Sequence, residues 1–208
     1  MKSLTQYICE SANKTSKGVS GNVKAICDNL MNGVNYSKFQ YIGTSPKEQF
    51  SKYNEKLLID NFSHNEYRAL TTQEYYELAG FGNFMHLANY KMAEFDEKYG
   101  DIIIVDKNDK PVFFIDLEIS TIGPTVGSIP VSSLANFTDE GYYLCVSQHG
   151  KKYFIVSHKD IVEMAENDPT IISPKSTRNY RKGYSVNFAG ETRNSEDYID
   201  GSALEEIL

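Results

Sequence analysis

Two short apolar runs, each carrying carboxylates, constrain this chain more than any other feature. Asp101 opens the run Asp101-Ile-Ile-Ile-Val105, and a second run, Phe113-Phe-Ile-Asp-Leu-Glu-Ile-Ser120, follows the turn-forming stretch Asp106–Pro111. The pattern predicts a β-hairpin. Side chains alternate along a strand, so Asp116 and Glu118 share a face with Val112 and Phe114, while Phe113, Ile115, Leu117 and Ile119 take the other. A hairpin folded about Asp106–Lys110 sets Asp101 opposite Ile115 or Asp116, and the three acids converge. Carboxylates at the end of a buried hairpin are costly to desolvate without a cation or an ionic partner. Three of them at one spot suit a hard divalent cation, Mg²⁺ or Mn²⁺. An Asp beside Gly also serves as a turn residue, and Asp-x-Glu also occurs on solvated strand edges; the flanking apolar runs favour the convergent reading.

Around this hairpin the chain reads as alternating helices and strands. Residues 13–22 form a loop by their Gly and Ser content, and Val23, Ile26, Cys27 and Leu30 mark one face of a short helix. A helix begins near Ser45-Pro46 and carries Phe50, Tyr53, Leu57 and Leu58 as far as Asn61. A second runs over Thr72–Ala79 and is interrupted by Gly80-Phe-Gly82; a third, capped by Asn83, runs to Tyr99, with Gly100 as its stop. Ser128–Phe137 reads as a short helix or turn. Tyr142–Ser147 and Lys152–Ser157 form a hairpin whose nearly continuous apolar character suits strands covered on both faces. A helix over Lys159–Glu166 starts at Ser157 and is closed by Pro169, and a last strand covers Tyr184–Phe188. The expected fold is α+β or α/β, a central mixed sheet flanked by helices. Residues 1–45 stand as an N-terminal extension, 46–190 as the core and 191–208 as an acidic C-terminal tail.

At 208 residues the chain can bury a sizeable core, and its 40% hydrophobic content is that of a soluble globular protein. No apolar run approaches the ~20 residues that span a bilayer. The first residues lack the apolar stretch of a signal peptide, so the expected location is the cytoplasm. Cys9, Cys27 and Cys145 are odd in number and in no CxxC arrangement, which gives neither a zinc site nor a disulfide framework. The net charge of −7 weighs against a nucleic-acid partner, but its distribution is uneven. Residues 171–194 carry Lys175, Arg178, Arg181, Lys182 and Arg193 against Glu191 alone, whereas residues 195–208 carry five acids and no cation.

Asp101 on one strand and Asp116-Leu-Glu118 on the next, within a helix–strand–strand–helix–strand order, resemble the PD-(D/E)xK nuclease superfamily. Tyr99-Gly-Asp101 stands where the family has Pro-Asp, and Asp116-Leu-Glu118 stands for (D/E)xK. The resemblance covers roughly residues 46–160 and implies a restriction-endonuclease-like fold, DNA as substrate and metal-assisted phosphodiester hydrolysis. Asp101 and Asp116 would hold Mg²⁺ (or Mn²⁺) with help from the Leu117 carbonyl, and Glu118 would bind a second ion or accept a proton from water. An acid from the first core helix sometimes joins such sites, with Glu55 and Glu48 as the candidates. Glu118 departs from the family's usual lysine, and with that cation gone an inactive descendant serving as a binding or structural module is the alternative.

The basic stretch Lys175, Arg178, Tyr180, Arg181 and Lys182 is either a solvated loop or a phosphate-contacting segment in which Tyr180 stacks on a base. The remaining candidates are weaker. His64, His86, His149 and His158 lack metal-ligand spacing, Ser132-Ser133 lacks a nucleophile-elbow context, and Gly80-Phe-Gly82 lacks the Lys and preceding strand of a phosphate loop. Cys145 reads as a small buried hydrophobe. A homo-oligomer fits the sequence as well as a monomer.

Overall fold

The computed structural model describes residues 18–40, 47–83, 89–120, 128–130, 136–148, 151–167, 172–175 and 183–187. In chain order the elements are α1 (Gly21–Met31), α2 (Lys47–Asn61), β1 (Tyr67–Thr71), α3 (Thr72–Leu78), α4 (Asn89–Tyr99), β2 (Ile102–Asp106) and β3 (Pro111–Ser120). They continue with β4 (Ser128–Pro130), β5 (Gly141–Ser147), β6 (Lys152–Ser157), α5 (His158–Asn167), β7 (Ile172–Lys175) and β8 (Gly183–Asn187).

The two apolar runs pair as expected. β2 and β3 are antiparallel, with Ile102 opposite Ile115 and Ile104 opposite Phe113. Asp106 builds the turn between them: its Oδ1 accepts from the backbone N–H groups of Asn108 (2.8 Å) and Lys110 (3.0 Å). The Lys110 and Asn108 amides hold its carboxyl below the usual carboxylate range. Asp109 completes the turn at φ 62°, a conformation Asp tolerates better than most residues.

β1 joins antiparallel to the far edge of β2, and β5 lies parallel to β3 with Asp116 beside Tyr143 and Glu118 beside Cys145. β6 returns antiparallel to β5. The result is a five-stranded mixed sheet of order β1-β2-β3-β5-β6, and β4, β8 and β7 form a three-stranded sheet in that order. Alternation divides the side chains of the larger sheet between two cores. One face carries Ile103, Val105, Phe114, Tyr143 and Cys145, covered by Tyr75 of α3, Tyr99 of α4 and Ile161 of α5. The other carries Ile102, Ile104, Phe113, Ile115 and Leu144, covered by α1 and by Leu58 of α2. Each such aliphatic side chain contributes about 1.5–3 kcal/mol by leaving water. The protein is therefore α+β, a mixed sheet with helices on both faces.

Local chemistry sets the helix limits. Val23, Ile26, Cys27 and Leu30 of α1 are the buried stripe that the periodicity predicts. Ser20 caps α1 by accepting from the Val23 amide, and Tyr153 donates to Asp28 at 2.6 Å, tying the helix to β6. Residues 21–39, within the stretch read as an N-terminal extension, thus supply one wall of the core. Thr71 and Glu74 form a reciprocal capping box at α3. Ser157 Oγ accepts from the Asp160 amide at 3.1 Å, and α5 starts at His158, one residue earlier than the sequence suggested. Inside this junction the Tyr143 hydroxyl and His158 Nδ1 form a buried hydrogen bond of 3.0 Å, and burial lowers the pKa of His158.

Several elements differ from expectation. β1 carries no clear strand pattern because it is an edge: only Ala69 is buried, and exposed Arg68 pairs with Asp109. Residues 128–130, expected in a helix or turn, form β4; three residues with a proline have no period of their own, and their pairing with β8 defines the strand. β7 went unread for the same reason, and β8 lies one residue earlier than expected. The expected Ser45-Pro46 start, the first residues after the Asn83 cap, the loop 121–127, His86, His149, Ser132-Ser133, Pro169 and the acidic tail lie outside the described residues. Among the described residues no helix is long and apolar enough to cross a membrane.

Gly100 is the most demanding position of this fold. It sits at φ 70°, and a Cβ there would lie 2.6 Å from the Ile115 carbonyl oxygen and 3.1 Å from the Asp116 amide nitrogen. Gly100→Ala combines left-handed strain with a backbone clash, so chemical denaturation should register a loss of about 1–3 kcal/mol. An unchanged midpoint would contradict the close approach.

Candidate functional site

The hairpin acids are positioned by the end of α4. Gly100 closes that helix with its N–H on the Asp96 carbonyl (2.8 Å), and Thr72 Oγ1 donates to the Gly100 carbonyl. The left-handed turn brings Asp101 alongside β3. There the Asp101 amide donates to Ile115 O at 2.8 Å, and the Leu117 amide donates to Asp101 Oδ2, also at 2.8 Å. The paired register of β2 and β3 ends at Ile102 opposite Ile115, and Asp101, one residue before β2, is bonded to the next stretch of β3 through Ile115 and Leu117. Both bonds link Asp101 to β3 where β2 has ended, so its carboxylate also satisfies a strand amide that would otherwise lack a partner.

Asp116 and Glu118 emerge on the face shared with Phe114, Tyr143 and Cys145, as alternation required. Both are half-buried, as is Asp101. Their field is felt next door. Burial first, then Asp116 and Glu118, push the Tyr143 hydroxyl well above its usual pKa; burial, then Glu118 and Asp116, do the same to the Cys145 thiol. The order of the two acids follows the strand register. Cys145 is a buried free thiol, in keeping with its reading as a hydrophobe.

Asp96 is a neighbour that sequence reasoning missed. Its carboxyl is pushed up to about 7 by partial desolvation, the Asp101 charge and Glu97, against the opposing pull of Lys52 on α2. It keeps solvent contact, but the protein around it strips part of its hydration and leaves it beside a second carboxylate. The available signal was the distance from the helix stop: an acid one turn before Gly100 is folded back towards whatever follows the glycine.

The chemistry of the donors suits a hard cation only in part. The oxygen donors at this end of β3 are the Asp101 and Asp116 carboxylates and the Leu117 carbonyl, and Glu118 lies a full strand repeat beyond Asp116, about 7 Å along β3. Among the described residues no group of three or more His, Cys, Asp and Glu side chains is placed to hold a metal ion. Glu55 is buried on α2, one turn from Lys52. The Glu48 side chain lies outside the described residues, as do Arg178, Tyr180, Arg181 and Lys182; Lys175 ends β7.

Asp96 gives the site a pH signature. Its folded pKa lies above the unfolded carboxylate value, so the native state holds the proton more tightly and stability falls as pH rises from about 4 to about 7. Asp96→Asn removes this penalty. Thermal melts should show the variant gaining on the wild type at pH 8 and matching it most closely at pH 5; equal gains at both would rule out the raised pKa.

No protein-family model matches this chain, and neither a curated protein nor a solved structure matches it.

Proposed function

We propose that this protein has a restriction-endonuclease-like core related to the PD-(D/E)xK nucleases and hydrolyses DNA phosphodiesters with Mg²⁺ or Mn²⁺. The observation that carries the reading is the Asp101–β3 junction. The Asp that immediately precedes one strand is bonded to the Leu117 amide at the centre of Asp-Leu-Glu on the next, which supports a shared role for Asp101 and its sequence neighbour across the bond, Asp116. Further support comes from the mixed sheet with helices on both faces and from β5 running parallel to β3.

In this reading Asp101 and Asp116 bind the cation, and the Leu117 carbonyl, on the same edge of β3 as its N–H, adds a neutral oxygen. A cation held there would supply a water of lowered pKa and offset charge at the phosphate. Glu118, set back along β3, would accept a proton from that water. Glu55 and Asp96 add negative potential from α2 and α4. The segment Lys175, Arg178, Tyr180, Arg181 and Lys182 contacts the DNA backbone.

A second reading, a nuclease-like fold without chemistry that serves as a binding module, is favoured by two observations. Glu118 occupies the place of the family's lysine, and among the described residues no three-carboxylate group is assembled. Cleavage of plasmid and oligonucleotide DNA with Mg²⁺, Mn²⁺ or a chelator separates the two. The active enzyme should cut only with metal and lose about 100-fold or more on Asp101→Asn or Asp116→Asn; DNA binding without any metal-dependent cutting would establish the module.

Two measurements test the parts separately. Millimolar Mg²⁺ or Mn²⁺ should raise the melting temperature, corresponding to a stabilisation of about 1.4 kcal/mol at tenfold excess over Kd, and Asp101→Asn combined with Asp116→Asn should abolish the gain. A melting temperature indifferent to metal would remove the cation from the proposal. Neutral replacements of Lys175, Arg178, Arg181 and Lys182 should weaken DNA binding for all sequences alike and flatten its salt dependence, with the metal-induced gain retained. An unchanged salt slope would return the segment to a solvated loop.

A further inference from the structure

The Gly80-Phe-Gly82 interruption after α3 takes no part in the reading above, yet it presents the most exposed large apolar side chain among the described residues. Phe81 is 57% exposed, and Leu78 beside it is 42% exposed. The loop is built rigidly. Gly80 sits at φ 77° and donates its N–H to Glu77 O, and the Phe81 amide reaches back to Tyr76 O. Together these bonds end the helix in a Schellman motif. The accompanying contact of that motif, Phe81 on Tyr76 with ring centroids 5.2 Å apart, is present, and Phe95 of α4 supports the Phe81 ring at 6.0 Å. The motif therefore accounts for where Phe81 stands but leaves more than half of it in water.

Its surroundings have one dominant sign. α3 and α4 together carry five acids against Lys91 and Lys98. Of these acids, exposed Glu77 and Glu94 adjoin Tyr76 and Phe95, the two residues whose rings Phe81 touches, whereas Glu74 serves the α3 capping box and Asp96 lies beside Asp101. An aromatic anchor with such acids beside it repels phosphate backbones and attracts ammonium and guanidinium groups, both through the carboxylates and over ring faces. Aromatic side chains, Phe among them, are enriched at the cores of protein interfaces, and a pre-ordered one loses little entropy on contact.

We propose that the Phe81–Leu78 face of α3 and α4 is a docking surface for a basic, apolar-anchored segment of a partner protein. Phe81 and Leu78 receive the partner's apolar residue, and Glu77 and Glu94 receive its lysines or arginines. The surface is independent of the β2–β3 acids and of any nuclease activity.

The test uses the full chain and a short fluorescein-labelled peptide of lysine and leucine with one central phenylalanine, read by fluorescence anisotropy. The expected result is binding that weakens with salt, falls about tenfold on Phe81→Ser, which alters no charge, and falls again on Glu77→Gln with Glu94→Gln. Asp101→Asn with Asp116→Asn should leave it unchanged. Because Phe81 is mostly exposed, its serine variant should keep the wild-type melting temperature; Leu78→Ser serves as a parallel reading if it does not. No binding, or equal binding by wild type and both serine variants, overturns the proposal by reducing the attraction to net charge. Phe81-dependent capture of a single-stranded oligonucleotide in place of the peptide also overturns it, identifying the ring as a base-stacking platform.

Discussion

The close approach of Gly100 to β3 governs the arrangement of this molecule. α4 ends where the backbone must pass within van der Waals contact of the Ile115 carbonyl, and only a residue without a side chain does so at φ 70°. That passage fixes three things at once: where α4 stops, where β2 starts, and which residue of β3 stands opposite its first residue, Ile102. A one-residue slip between the strands would exchange the two faces of β3, placing Ile115 and Leu117 where Asp116 and Glu118 now stand. The core and the acid pair are thus set by the same junction.

Asp101 has a structural task as well as a chemical opportunity. Its carboxylate accepts the Leu117 amide and so ends the β2–β3 ladder without an orphaned donor. A carboxylate has two oxygens with about four acceptor sites, so an amide bond does not by itself exhaust it. The half-buried acids also lie against a sheet face that is otherwise apolar, where Tyr143 and Cys145 register their charge. Asp96, near the end of α4, adds repulsion of its own towards Asp101.

Much of this architecture was legible because its signals are local. The β2–β3 hairpin, the β5–β6 hairpin, the α1 stripe and the Gly100 stop follow from alternation, helical spacing and a glycine that only a helix end requires. The face shared by Asp116, Glu118 and Phe114 followed from parity alone. What escaped depends on partners distant in sequence. β1 is defined by its place on β2, β4 by β8, and neither carries a pattern of its own. Asp96 escaped because its perturbation comes from folding back over Gly100, which spacing along the chain does not express. Glu118 was placed on the correct face, but its distance from Asp101 depends on the ladder and not on the motif.

β3 is paired on both sides by strands of opposite history. Its bond to β2 closes a short turn that can form early, whereas its parallel bond to β5 joins residues as far apart as 114 and 141 and must wait for the intervening chain. Without β5 the hairpin would have one open edge, on a strand that carries two carboxylates. Charges on such a strand are a common device against edge-to-edge pairing with a second chain.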